Sequence, residues 1–170
     1  MKQLLLVSWL LSLSAILGLP EVKADVRMPL IFGNHMVLQQ DTRITIWGWA
    51  DAGENIEVLF AGQKVRTTAN ADGTWQVKLK PVKMKKKGET LTITGKNKLV
   101  YSDVLVGDVW VASGQSNMEW GIKVRKEYAD DIAHSEDSLL RLFFVPKNTS
   151  LQPLSEIEIP QGTASPERAV

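Results

Sequence analysis

The chemistry in this 170-residue chain centres on Ser113-Gly114-Gln115-Ser116-Asn117, which follows an apolar run and precedes residues that favour a helix. A serine at a strand-to-helix turn stands clear of the sheet edge, with helix N-terminal amides close by. That is the geometry a nucleophile needs when backbone N–H groups must meet its oxyanion. The same residues allow another reading, because Ser116 with Glu119 three positions on has the pattern of a capping box. The stretch is not the G-x-S-x-G elbow of other serine hydrolases, since Met118 stands where the second glycine would be. Spacing alone leaves both readings open.

The elements that would position Ser116 differ on either side of Asp103. Before it, short alternating runs (Ile44 to Trp47, Glu57 to Phe60, Val65 to Ala69, Trp75 to Leu79, Thr90 to Thr94) are separated by the turns Asp51-Ala52-Gly53, Ala61-Gly62-Gln63 and Ala71-Asp72-Gly73. This rhythm predicts an antiparallel β-sandwich over 25–103, with Thr45, Glu57, Gln76, Lys78, Thr92 and Thr94 on solvated faces. Trp47, Trp49 and Trp75 could stack on sugar rings, but their strand spacing favours filling of the sandwich core. Lys83, Lys85, Lys86 and Lys87 read as a solvated loop closed by Gly88.

From 104 onward the pattern changes. Val104 to Ala112 reads as a strand buried on both faces, Lys123 to Asp137 as an amphipathic helix with Val124, Tyr128 and Ile132 on one stripe, and Leu139 to Val145 as a second buried strand. Strand, helix and strand in that order predict a βαβ unit with parallel, adjacent strands, the opening of a three-layer α/β domain over 104–170. The fold class is therefore mixed, a β-sandwich followed by an incomplete α/β segment.

At the N-terminus, Lys2, the apolar run Leu4 to Leu19 and Val22-Lys23-Ala24 read as a secretory signal peptide over 1–24, cut after Ala24. The expected location is secreted or periplasmic, with no membrane anchor once the signal is removed. The chain has no cysteine, so no disulfide supports it. Of its 20 basic and 19 acidic residues, removal of Lys2, Lys23 and Glu21 leaves 18 of each, and this neutral balance argues against a nucleic-acid partner. No spacing suggests a metal site. Asn148-Thr149-Ser150 is an N-glycosylation sequon.

The serine block, Gly107-Asp108-Val109-Trp110 followed by Ser113-Gly114-Gln115-Ser116-Asn117-Met118-Glu119-Trp120, resembles the signature of the sialate O-acetylesterases of the SGNH or GDSL-like hydrolase superfamily. His35-Met36-Val37-Leu38-Gln39, Trp47-Gly48-Trp49-Ala50 with Gly53-Glu54, Asp72-Gly73-Thr74-Trp75, Asp130 to Ala133, Arg141-Leu142-Phe143 and Ser165-Pro166-Glu167 fit the same family. The resemblance implies hydrolysis of acetyl esters on sialic acid, or on another acetylated glycan, without a cofactor. It makes Ser116 the nucleophile and a backbone oxyanion donor, with Gln115 and Asn117 shaping the turn and contacting substrate. In the family the base comes from an Asp-x-x-His block further along, so this chain is expected to be an N-terminal portion with little turnover by itself. Of its two histidines, His35 is expected to be structural and His134 to be a solvated or ion-paired helix residue. A non-catalytic β-sandwich module that binds glycan or a protein partner is the alternative.

Overall fold

The computed structural model describes residues 25–121, 125–157 and 168–169; the expected signal peptide over 1–24 lies outside them. Among the described residues the chain is mostly β, with little helix. Its strands are β1 (Val37–Gln39), β2 (Ile44–Trp49), β3 (Asn55–Phe60), β4 (Gln63–Thr68), β5 (Thr74–Leu79), β6 (Lys85–Thr94) and β7 (Lys98–Gly107). Two short strands, β8 (Leu142–Phe143) and β9 (Arg168–Ala169), come later. The larger sheet has the order β1-β7-β6-β3-β4, and β2 pairs with β5 in a second sheet. All pairings are antiparallel except β1 with β7, which is parallel over Val37↔Leu105 to Gln39↔Gly107.

Alternating residues build the core. Ile44, Ile46, Trp75, Val77 and Leu79 from β2 and β5 join Ile56, Val58, Phe60, Leu91, Ile93, Val104 and Val106 from the larger sheet in one buried cluster. The polar residues between them face outward, and none of the six expected on solvated faces is buried. The β3–β4 reversal is a two-residue hairpin: Phe60 pairs with Gln63, and Ala61 and Gly62 both take positive φ, 49° and 75°. That geometry matches the twist of the flanking strands, and glycine accepts it without a Cβ clash.

Several expectations are corrected. Only Trp75 of the three tryptophans enters the core, at 2% exposure. Gly48 occupies the inward position of β2, against Met28 and Trp75, so Trp47 and Trp49 on either side of it point outward. There Trp47 meets Phe32 edge-on at 4.7 Å, and the Arg27 guanidinium lies 4.0 Å over the Trp49 ring. The lysine cluster is not a loop: Lys85, Lys86 and Lys87 open β6, where a register shift between Lys85 and Glu89 leaves them on an exposed, irregular stretch.

β7 crosses the expected boundary at 103/104, so Val104–Gly107 belong to the five-stranded sheet. The strand expected over Val104–Ala112 ends at Gly107 because both neighbours end there: Gln39 is the last residue of β1, and Lys85, paired with Val106, is the first of β6. Beyond them the apolar run has no backbone partner, and Trp110 and Val111 are 88% and 91% exposed. The expected helix over 123–137 shortens to a 3-10 turn at Lys126–Tyr128 and the five-residue α1 (Ala129–Ala133), with 122–124 outside the described residues. So short a helix cannot span a crossover, and β8 pairs antiparallel with β9 instead of lying parallel beside β7. The parallel, adjacent βαβ pair is not formed among the described residues.

Candidate active site

Ser116 sits where β7 has given up its neighbours. It opens a 3-10 turn over Ser116–Glu119, capped by Gln115 in extended conformation, with Met118 N–H donating to the Gln115 carbonyl at 2.9 Å. The cap residue is Gln115, not Ser116, and its side chain makes no capping hydrogen bond. Ser116 is exposed, as are Gln115 and Asn117 beside it. A Cβ on Gly114 would lie 2.6 Å from Met118 Cγ, so the exposed Met118 side chain would have to turn aside. The exposed Ser116 side chain is accessible to an ester carbonyl.

The segment that carries Ser116 is tied down on both sides. On its N-terminal side, Val109 N–H donates to Gln39 Oε1 at 2.8 Å, and Gln40 Nε2 donates to Asp108 Oδ1 at 3.1 Å. Gln39 Nε2 also reaches Asp108 Oδ1, at 3.4 Å, and Gln40 N–H donates to the Gly107 carbonyl at 2.9 Å. On its C-terminal side, Arg141 donates to Asp103 Oδ2 at 3.0 Å, with its side chain only 7% exposed. The same Asp103 oxygen is 2.8 Å from His35 Nδ1. The His35 hydrogen bond, followed by the Arg141 guanidinium, holds the Asp103 carboxyl below its ordinary value of 3.8. Both Asp103 and His35 have positive φ, 51° and 61°.

Neither histidine is hydrogen-bonded to Ser116 among the described residues. His35 is hydrogen-bonded to Asp103 instead. His134 closes α1, and its Nδ1 lies 2.7 Å from the Asp130 carbonyl oxygen. The stretch Asp131-Ile132-Ala133-His134 has Asp-x-x-His spacing, yet the ring is engaged with the backbone one turn earlier and not with the Asp131 carboxylate. Among the described residues no cluster of three or more His, Cys, Asp or Glu could hold a metal ion, and no helix is long and apolar enough to cross a membrane. Residue-type reasoning missed Asp103, Gln40 and Arg141 as parts of this arrangement. The signals available were the match of Arg141-Leu142-Phe143 to the family and the lone charge of Asp103 ahead of an apolar run.

No family model matches the chain. Curated relatives do. The sialate O-acetylesterase of Mus musculus is 32% identical over 141 residues, which cover 74% of this chain and 26% of that protein. The Rattus norvegicus sialate O-acetylesterase is 34% identical over 141 residues, covering 74% and 25%. The Homo sapiens protein of the same name is 28% identical over 148 residues, covering 78% and 28%. Among solved structures, a carbohydrate acetylesterase from Xanthomonas citri superposes with a TM-score of 0.75 at 34% identity, over 85% of this chain and 32% of that one. The chain thus spans about a quarter of the length of the curated relatives it matches.

Proposed function

Starting from a chain homologous over most of its length to the sialate O-acetylesterases, we propose that it is the Ser116-bearing part of a secreted carbohydrate O-acetylesterase. On this reading residues 25–107 form a β-sandwich and the following residues open an SGNH-type α/β domain. Ser116 Oγ attacks the acetyl carbonyl, its proton passes to a histidine base, and the sugar oxygen leaves with that proton. The resulting acetyl-serine is then hydrolysed by water to acetate. The backbone N–H of Ser116 donates to the oxyanion, and Gln115 and Asn117, exposed on the same turn, contact the substrate. The base belongs to the family's Asp-x-x-His block. The acetyl group sits on sialic acid, with other acetylated glycans as the nearest alternative.

The observation that carries this reading is the exposed Ser116 within a chain that matches esterases. The test is acetate release from O-acetylated sialic acid and from acetylated xylan by the intact protein as its source cell makes it. Ser116→Ala is expected to reduce turnover by at least about 10³-fold, as loss of a serine nucleophile does. Unchanged acetate release by that variant would show that the serine is not the nucleophile. A protein that binds acetylated glycan but releases no acetate would instead favour the non-catalytic module.

A further inference from the structure

The two polar ends of the early block His35-Met36-Val37-Leu38-Gln39 hold the two ends of the segment that carries Ser116. At one end, Gln39 Oε1 accepts the Val109 amide while the Gln39 and Gln40 side chains share Asp108 Oδ1. At the other, His35 holds Asp103, which holds Arg141. β1 between them is fixed to β7 by parallel pairing. Between Val109 and Arg141 the described chain forms only a 3-10 turn of four residues, another of three and the five-residue α1. Helical pieces of that length do not sustain themselves.

We propose that Gln39 and Arg141 are positioning residues for Ser116, acting through Asp108 and Asp103 to fix the two ends of its segment on β1 and β7. The proposal rests on Ser116 being the nucleophile. The Gln39 bonds set the direction in which the chain leaves the sheet at Val109, and hence where the Ser113-Gly114-Gln115-Ser116 turn lies. The Arg141 pair, nearly buried on the arginine side, sets where the chain returns. Two tethers are needed because a segment held at one end only can swing about it, and misplacement of a nucleophile by about 1 Å can cost about 10²-fold in rate.

The experiment compares Gln39→Ala, Arg141→Gln and Ser116→Ala in the intact protein, with 4-nitrophenyl acetate as substrate and diisopropyl fluorophosphate as a label for Ser116. Gln39→Ala and Arg141→Gln are expected to lower kcat about 10- to 100-fold and to slow labelling in parallel, with KM changed less than about 3-fold. Because the Arg141 variant could lose stability, Asp103 provides a second pair at that end: Asp103→Asn keeps an oxygen acceptor for Arg141 and retains most of kcat, whereas Asp103→Ala loses it. At the other end Asp108→Asn keeps the Oδ1 acceptor and retains most of kcat, whereas Asp108→Ala loses it. If Ser116→Ala abolishes turnover while Gln39→Ala and Asp108→Ala keep wild-type kcat and labelling rate, the tether is not a positioning device and the proposal fails alone. If Ser116→Ala keeps full turnover, the nucleophile reading fails and takes the proposal with it.

Discussion

Replacing Gly88 with alanine should undo the Asp103 junction from the opposite strand. A Cβ built on Gly88 would lie 2.7 Å from Asp103 Cα and 2.9 Å from its carbonyl carbon. Carbon atoms normally pack at about 3.5–4.0 Å, so one backbone must retreat by roughly 1 Å. The Cβ would also meet Asp103 Oδ1, which is closer still, but moving that carboxylate leaves the two backbone clashes in place, in a β6–β7 pair already irregular between Lys85 and Leu91. Overpacking of this kind costs about 1–3 kcal/mol. Displacing Asp103 also strains the bonds to His35 and Arg141, to which, for a carboxylate this exposed, no more than about 1 kcal/mol is assigned after solvent screening. A total of about 1–4 kcal/mol follows from the two terms together. At about 4–8 °C per kcal/mol for a β domain of this size, the fall in Tm is roughly 5–30 °C. The control is Gly107→Ala at the end of β7, where the Cβ would meet Val37 Cγ1 at an ordinary 3.7 Å and the cost should stay below about 1 kcal/mol. Urea unfolding followed by tryptophan fluorescence measures both. Equal midpoints for the two variants would refute the steric reasoning and, with it, the placement of Gly88 against Asp103.

Gly48→Ala should be destabilising by about 2 kcal/mol or more, because its Cβ would collide with the Arg27 carbonyl oxygen and break the paired Arg27–Trp49 backbone bonds of 2.8 and 2.9 Å; the same urea titration checks it. Stability should also fall in acid through Asp103. Its folded value is depressed, so its contribution is complete above the unfolded value near 3.8 and is lost as pH falls through the lower folded value. Asp103→Asn should flatten the stability profile below about pH 4, and an unchanged acid limb would show that the carboxylate is not held by His35 and Arg141.

What was legible in the sequence was local. Ala61-Gly62 between alternating runs could only be a tight hairpin, and Trp75, Val77 and Leu79 marked the inward face of their strand by alternation. Trp47 and Trp49 misled because alternation at strand spacing does not say which of the two faces is inward, and the inward position of that strand goes to Gly48, where only a residue without a Cβ fits under Arg27. The apolar run after Val104 misled for a different reason. Three consecutive buried residues, Val104, Leu105 and Val106, are what a strand flanked on both edges produces, but hydrophobicity does not say how far the flanking strands reach. At the candidate site, Ser116 was found from its block, while Asp103, Gln40 and Arg141 depend on pairings 68 and 38 residues apart in sequence, which no local pattern encodes.

On the proposed reading, these long-range ties also explain why the β strands precede the serine turn. β7 is held on both edges, by β1 and β6, and the serine turn begins within a few residues of where that strand ends. Stiffness is transmitted only if the departing backbone is fixed in direction. A single covalent connection through Gly107 would leave the turn free to rotate. The Gln39, Gln40 and Asp108 bonds remove that freedom at the exit, and the His35, Asp103 and Arg141 chain removes it at the return. The β domain therefore contributes to catalysis on the proposed reading without touching the substrate, by supplying the rigid frame against which a short, weakly structured turn can hold a hydroxyl in place.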